Sequence, residues 1–441
     1  MEKLIIKGGI KLKGSISVQG SKNVALKALV AACLTNEEVI LNNVPIISDV
    51  IAMIEIIEEL GGKINFSDHT VKIQMQDFRT HEVSLDKAIM VRTSAMFIAP
   101  LLARYGEAII PNPGGCRLGA RPIDRTIDGV THLNADIKYY SDDGYFHAKT
   151  TGLIGTNYSF EKNTHTGTET LILTAVLAKG KTVLENAAEE PEIDDLILLL
   201  NSMGADIKRT AKRQITIVGV SKLFGTEFTI SPDRNEIVTF AIAAIGTGGD
   251  VLIENVSSQG IEEFLEALNR INAGYEISKE GIRFFSKGEL KATDIVTSIY
   301  PGFMTDWQAP WAVLMTWANG DSIVHETVFE NKLGYINDLK RMGAKVKLFN
   351  PEVANPQEIY NFNLDDDDSS YFHAVKITGP SKLHNAIVTM ADIRAGAAIV
   401  IAALMAEGTS TIFGIDKINR GYEALDERLN KIGARISKVK E

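Results

Sequence analysis

The chain has 441 residues, 45% of them apolar and 23% charged, with a formal net charge of −10. That length fits two or three domains with sizeable cores. The acid excess argues against a nucleic-acid partner, and two cysteines without a CxxC pair exclude a disulfide scaffold and a thiolate zinc site. The opening MEKLIIKGGI has no leader-like charged lead, apolar run and cleavage site. The stretch AGAAIVIAALMA (395–406) is too short to span a bilayer. A cytoplasmic protein with no membrane partner is expected.

Along the chain the same elements return. After an N-terminal strand, KLIIKGGIKLKG (3–14), comes a helix apolar on nearly every face, ALKALVAACL (25–34). Its counterparts are TLILTAVLA (170–178), TFAIAAIGT (239–247) and WAVLMTWA (311–318). A helix without a polar face belongs inside a core. A strand follows, as in EVILNNV (38–44), TVLENA (182–187) and DVLIENV (250–256), then an amphipathic helix such as IAMIEIIEEL (51–60). Pro45 with Asp49, Pro122 with Asp124 and Pro191 with Asp194 mark the start of that second helix, where both residue types are favoured.

Each unit closes on a related phrase: LGGKI, LNADI, MGADI, NAGYEI, MGAKV and IGARI end at Ile64, Ile137, Ile207, Ile277, Val346 and Ile436. The gaps are 73, 70, 70, 69 and 90, so the chain reads as six copies of a unit of about 70 residues. The long last gap is put down to an insertion in the final unit (347–372) around DDDDSS (365–370), read as a solvated, mobile loop. Three units and three units divide near GTEFTISPDR (225–234). The expected fold is α/β, two inside-out three-unit domains, one over 22–230 and one from 1–21 plus 231–441, facing each other across a cleft.

Departures from the repeat point to chemistry. Seventeen residues before the strand that follows each buried helix stand Lys22, Arg234, Asp306 and Arg394, with Arg92 at sixteen. A cation at a helix N-terminus opposes the macrodipole unless an anion joins it, so the group suggests a ring of charge that gathers anions. The second departure is NPGGCRLGARP (112–122). Asn42 to Pro45 spans three positions and Asn186 to Pro191 five, yet Asn112 to Pro122 spans ten. Cys116 sits in the middle of this added loop, with Arg117 and Arg121 to lower its thiol pKa, whereas Cys33 in LVAACLT reads as a packing residue.

These motifs resemble one family across the whole chain. GSKNVALKALVAACL (20–34), PGGCRLGARPID (113–124), ENAAEEPEI (185–193), PDR (232–234), YPGFMTDWQA (300–309), TVFENKLGYINDLKRMGA (327–344), ADIRA (391–395) and INRGYEALDERL (418–429) are similar to the UDP-N-acetylglucosamine 1-carboxyvinyltransferases, enolpyruvyl transferases of peptidoglycan synthesis. The resemblance implies transfer of the enolpyruvyl group of phosphoenolpyruvate to the 3-hydroxyl of UDP-N-acetylglucosamine. The route is addition to a tetrahedral ketal phosphate and then elimination of phosphate. It implies no metal or organic cofactor and no partner beyond these two small molecules. By resemblance Lys22, Arg121 and Arg394, with Arg92 nearby, meet the phosphate, and Asp306 is the base. Cys116 is the acid or an aid to product release, and the site of adducts with phosphoenolpyruvate or with epoxides such as fosfomycin. Asn23 and Asp49 match active-site positions. Arg121, Pro122, Ile123, Asp124, Arg125 and Thr126, Thr164 to Gly167 (including His165 and Thr166), and Val328 match nucleotide and sugar contacts.

Two positions depart from the pattern. Lys332 stands where the family usually has arginine facing the carboxylate of phosphoenolpyruvate, and lysine keeps the charge but loses the two-pronged fork. In NTHTGTE (163–169), His165 is placed either to donate to a phosphate or to cap the helix. A divergent member acting on another uridine nucleotide, and an inactive nucleotide-sugar-binding relative, are the alternatives these departures leave.

Overall fold

A computed structural model describes residues 2–112, 123–390 and 392–440. The readings made for Cys116, Arg117, Arg121 and Pro122 therefore fall outside the described residues. The chain divides into two compact units, one within residues 20–231, the other from residues 2–19 and 232–440.

The strands of the described residues form six sheets, one per sequence repeat; five have four strands and one has three. The third repeat shows the plan. Strand Asn157–Ser159 runs parallel to Lys181–Glu185, which pairs antiparallel with Gln214–Val218, and that strand with Asp206–Ala211. A buried helix, His165–Ala175, connects the two parallel strands. In the three-stranded sheet the parallel strand shrinks to a single bridge between Glu82 and Ile109.

The six buried helices are α1 (Lys22–Ala32), α2 (Ile98–Arg104), α3 (His165–Ala175), α4 (Arg234–Gly246), α5 (Gln308–Met315) and α6 (Ile393–Met405). All 13 residues of α4 and ten of 11 in α1 are buried, as expected for helices with no polar face. One core gathers α1, α2 and α3, and a second gathers α4, α5 and α6, so each unit is an α/β layer with its helices inside and its sheets outside. No helix of the described residues is long and apolar enough to cross a membrane.

The chain passes from one unit to the other just after a strand, once before α1 and once before α4. Lys13–Ser17 leads into α1 but pairs parallel with Asp250–Glu254, the strand after α4. Thr226–Thr229 leads into α4 but pairs with Val39–Asn42, the strand after α1. Each unit pins its side of these crossings: Ser21 N donates to Ser231 O (2.7 Å), and Asp233 N donates to Gln19 O (2.8 Å). A Cβ at Gly20 would lie 1.8 Å from the carbonyl oxygen of Asn43, so only glycine lets the chain pass there.

The acid-rich insertion differs from its sequence reading. It joins Lys345–Phe349 to Ala374–Gly379, antiparallel neighbours in one sheet, so it lengthens the hairpin of the fifth repeat rather than the sixth. DDDDSS is largely exposed, but the segment as a whole is more than a solvated loop. It holds helical turns at Pro356–Ile359 and Leu364–Asp366 and buries Tyr360 and Phe362.

Candidate active site

The charges singled out from the repeat all stand at or beside the first turn of a buried helix, yet the fold uses them differently. In the unit of residues 20–231, Ser21 caps α1 by accepting from Val24 N, and Lys22 begins the helix. Its ammonium lies 2.6 Å from Asp49 Oδ2, in the first turn of Ser48–Leu60, and both side chains are buried. Asn23 follows at the partly buried edge, and Arg92 opens the 3-10 turn Arg92–Phe97 that leads into α2. Ile123 immediately follows the undescribed segment and precedes helix Asp124–His132; there Asp124 is exposed and the Arg125 carbonyl accepts from Tyr158 OH (3.2 Å).

The helix-cap reading of His165 is corrected. Thr164 is the cap: its Oγ1 accepts from Gly167 N at 3.2 Å, and a Cβ on Gly167 would strike the Thr164 methyl at 2.4 Å. His165 is the first helical residue and faces Glu169 one turn on, Nε2 to Oε1 at 3.2 Å; Glu169 Oε2 is 3.1 Å from the ammonium of Lys27 on α1. Glu169 is completely buried. Burial opposes the charged form of His165, but Glu169, with Glu190 beyond it, outweighs that and the opposing Lys27. The imidazole pKa therefore stands above the ordinary value. Sequence reasoning missed Lys27 and Glu169; the one available signal was a lysine and a glutamate inside otherwise apolar helices.

In the other unit, three residues predicted from sequence converge. Asp306 occupies the 3-10 turn Thr305–Trp307 before α5; its Oδ1 is 2.9 Å from Lys332 Nζ and its Oδ2 is 3.6 Å from Arg394 Nε. The Lys332 and Arg394 side chains are 5% and 10% exposed against 30% for Asp306, so the carboxylate is the outermost member of the group. Arg394 is set by the N-cap Asp392, whose Oδ1 accepts from Arg394 N and Ala395 N, and by the Tyr422 ring under its guanidinium (5.1 Å). Its Nη1 is buried with no hydrogen-bond partner among the described residues. Asp233 also acts on Arg394 and Glu326 on Lys332, so the cations are not in excess; two cations beneath one outer carboxylate, with a buried donor unsatisfied, still suit an anion. Arg234 behaves differently: it stacks on Tyr300 and Trp307 and donates to Gly260 O, a packing role. Val328 lies in the turn after strand Gly320–His325, its N–H accepted by Glu326 Oε1.

Comparison with known proteins fits this geometry. The family profile of EPSP synthase (3-phosphoshikimate 1-carboxyvinyltransferase) matches residues 6–429. The chain belongs to the enolpyruvyl transferase family. Among similar members, the UDP-N-acetylglucosamine 1-carboxyvinyltransferase of Koribacter versatilis is 38% identical over 445 residues, covering 100% of this chain and 97% of that one. The protein of the same name from Methylacidiphilum infernorum is 39% identical, with 100% and 99% covered. The enolpyruvyl transferase NikO from Streptomyces tendae shares the fold with a TM-score of 0.86 at 20% identity, over 100% and 99% of the two chains. EPSP synthase from Acinetobacter baumannii does so with 0.73 at 18%, over 100% of both. The six-repeat, two-unit α/β fold expected from sequence is thus the fold of known enolpyruvyl transferases. Cys33 of this transferase is fully buried, and burial pushes its thiol up to about 12, which leaves it inert.

Proposed function

We propose that this enolpyruvyl transferase moves the enolpyruvyl group of phosphoenolpyruvate to the 3-hydroxyl of UDP-N-acetylglucosamine, releasing phosphate, in the cytoplasm. The observation that carries the reading is Asp306 held between Lys332 and Arg394. A carboxylate pinned by two cations is a poor base, because they stabilise its ionised form. Asp306 occupies the donors that an anion would use. When phosphoenolpyruvate arrives, Lys332 turns to its carboxylate and Arg394 to its phosphate. Asp306, released from both, gains proton affinity and faces the sugar hydroxyl.

In the addition step the hydroxyl oxygen bonds to C2 of phosphoenolpyruvate as its proton passes to Asp306, while C3 gains a proton from an acid, the role we assign to Cys116. In the elimination step C3 returns a proton to the conjugate base of that acid, the carbon–carbon double bond re-forms, and the bond from C2 to the phosphate oxygen breaks with its electron pair going to phosphate. Fixed cations such as Lys22 and Arg394 stabilise charge as it moves to the leaving group. Ile123 to Arg125, His165 to Gly167 and Val328 are assigned to the nucleotide sugar.

The test offers the enzyme phosphoenolpyruvate with UDP-N-acetylglucosamine, another uridine nucleotide sugar or shikimate 3-phosphate, and identifies the product by mass. Gain of an enolpyruvyl group by UDP-N-acetylglucosamine alone supports the reading. Gain by a different acceptor transfers the reaction to that acceptor, and nucleotide-sugar binding without any product overturns the enzymatic reading.

A further inference from the structure

The insertion in the fifth repeat closes onto one short stretch of chain. Strand Gly320–His325 ends beside it, and the next two residues are bound by it: Glu326 N donates to His373 O (2.7 Å), and Asn361 N donates to Thr327 O (2.8 Å). Tyr360 OH meets His325 Nε2 at 3.2 Å. The rings of Tyr360 and Phe362 both pack on His373, 5.1 and 5.2 Å between centroids, and His373 Nε2 meets Asp367 of the acid run at 3.0 Å. Asn350, at the start of the insertion, accepts from His373 N and donates to Tyr371 O. The segment is thus knotted onto residues 325–327.

Glu326 points the other way. It is 1% exposed, and its carboxylate receives three donors. Thr305 Oγ1 donates to Oε2 (2.8 Å), while Val328 N and Phe329 N donate to Oε1 (2.8 and 3.1 Å). Thr305 directly precedes Asp306, and the Phe329 ring lies 4.7 Å from the ammonium of Lys332. One buried carboxylate therefore spans both ends of the Asp306–Lys332 pair. Burial raises its pKa, with Lys332 and the three donors working against that rise. A buried carboxylate is a costly way to gain stability alone, since well-packed apolar residues often serve as well.

We propose that Glu326 is a positioning residue: it holds the Asp306 turn and the Lys332 turn in one register, and the 350–373 insertion anchors the strand end that carries it. The inference rests on the reaction proposed above. It gives the acid-rich insertion a task, bracing the lysine that stands where the family uses arginine.

The test measures both Michaelis constants, kcat and thermal unfolding for the full chain and for Glu326→Gln, Thr305→Val and Tyr360→Phe, each alone and combined with Lys332→Met. Glu326→Gln should raise the KM for phosphoenolpyruvate about tenfold and lower kcat by a similar factor, with Thr305→Val giving part of that change. Tyr360→Phe should raise that KM about threefold with little change in melting temperature. In the Lys332→Met background these effects on KM should vanish, because Glu326 acts through the lysine. A merely structural role gives the same factor in both backgrounds, and that result overturns the proposal, as does an unchanged KM in the otherwise native chain. If Glu326→Gln fails to fold, Thr305→Val in the two backgrounds decides by the same criteria. A native protein that turns over no phosphoenolpyruvate with any acceptor overturns the functional reading and this inference together. An active native protein with indifferent variants overturns this inference alone.

Discussion

The charged groups of residues 20–231 and that of Asp306 in the other unit both stand beside buried helices, yet they are layered in opposite order. In the first, the acid is the inner member: Asp49 with Lys22, and Glu169 with both Lys27 and His165. In the second, Asp306 is the outer member over Lys332 and Arg394, on which Glu326 and Asp233 also act, and Arg394 Nη1 has no hydrogen-bond partner among the described residues. Buried acids hold structure and punish removal of a partner, whereas cations covered by an outer carboxylate can be uncovered for a ligand. Position in the repeat thus places a charge, but which member of its group lies outermost decides its use.

Four substitutions break or sharpen that contrast. Asp306→Asn removes the proposed base from the outer-acid cluster. Turnover should fall about a thousandfold while UDP-N-acetylglucosamine still binds, read by phosphate release beside calorimetric titration. Wild-type phosphate release from this variant would remove Asp306 from the mechanism. Lys27→Met acts on the buried-acid cluster and leaves Glu169 with His165 alone. A loss of about 3 kcal/mol in denaturant unfolding is expected, and a loss below about 1 kcal/mol would show that Glu169 finds relief elsewhere.

Lys332→Arg restores the two-pronged fork to the outer-acid cluster. The KM for phosphoenolpyruvate should drop about threefold with kcat nearly unchanged, and a higher KM would mean that the site is shaped around lysine. The smallest effect concerns His165. Its folded pKa is raised, so its favourable contact with Glu169 is complete below the unfolded value of about 6.5 and is lost as pH rises through the folded value. The stability deficit of His165→Asn should therefore be largest at acid pH and shrink toward alkaline pH. A deficit independent of pH would assign His165 a packing role only.

Much of this was legible in the sequence because the repeat acts as its own control. Helices such as Arg234–Gly246 lack a polar face and could only be interior, and the spacing of closing phrases counted the units before any contact was known. Lys22, Asp306 and Arg394 stood out because a charge recurs at one repeat position just before helices that are otherwise apolar. What stayed hidden depends on long-range contacts. Glu326 looks like any acid after a strand until Thr305, 21 residues earlier, donates to it. Lys27 and Glu169 meet from different helices. The insertion was misplaced by one repeat because its boundary was judged from distance between helix-closing phrases, while the sheet shows it between Lys345–Phe349 and Ala374–Gly379. The pairing of the strands that precede α1 and α4 is likewise invisible to a pattern that reads neighbours in order.

The central claim, that a cationic cluster covered by one outer carboxylate serves enolpyruvyl transfer to a nucleotide sugar, is tested most directly by following inorganic phosphate released from phosphoenolpyruvate with and without UDP-N-acetylglucosamine. The account predicts steady release only when both are present, with one enolpyruvyl nucleotide formed per phosphate. Release that ignores the nucleotide sugar, or no release with both substrates present, would contradict it.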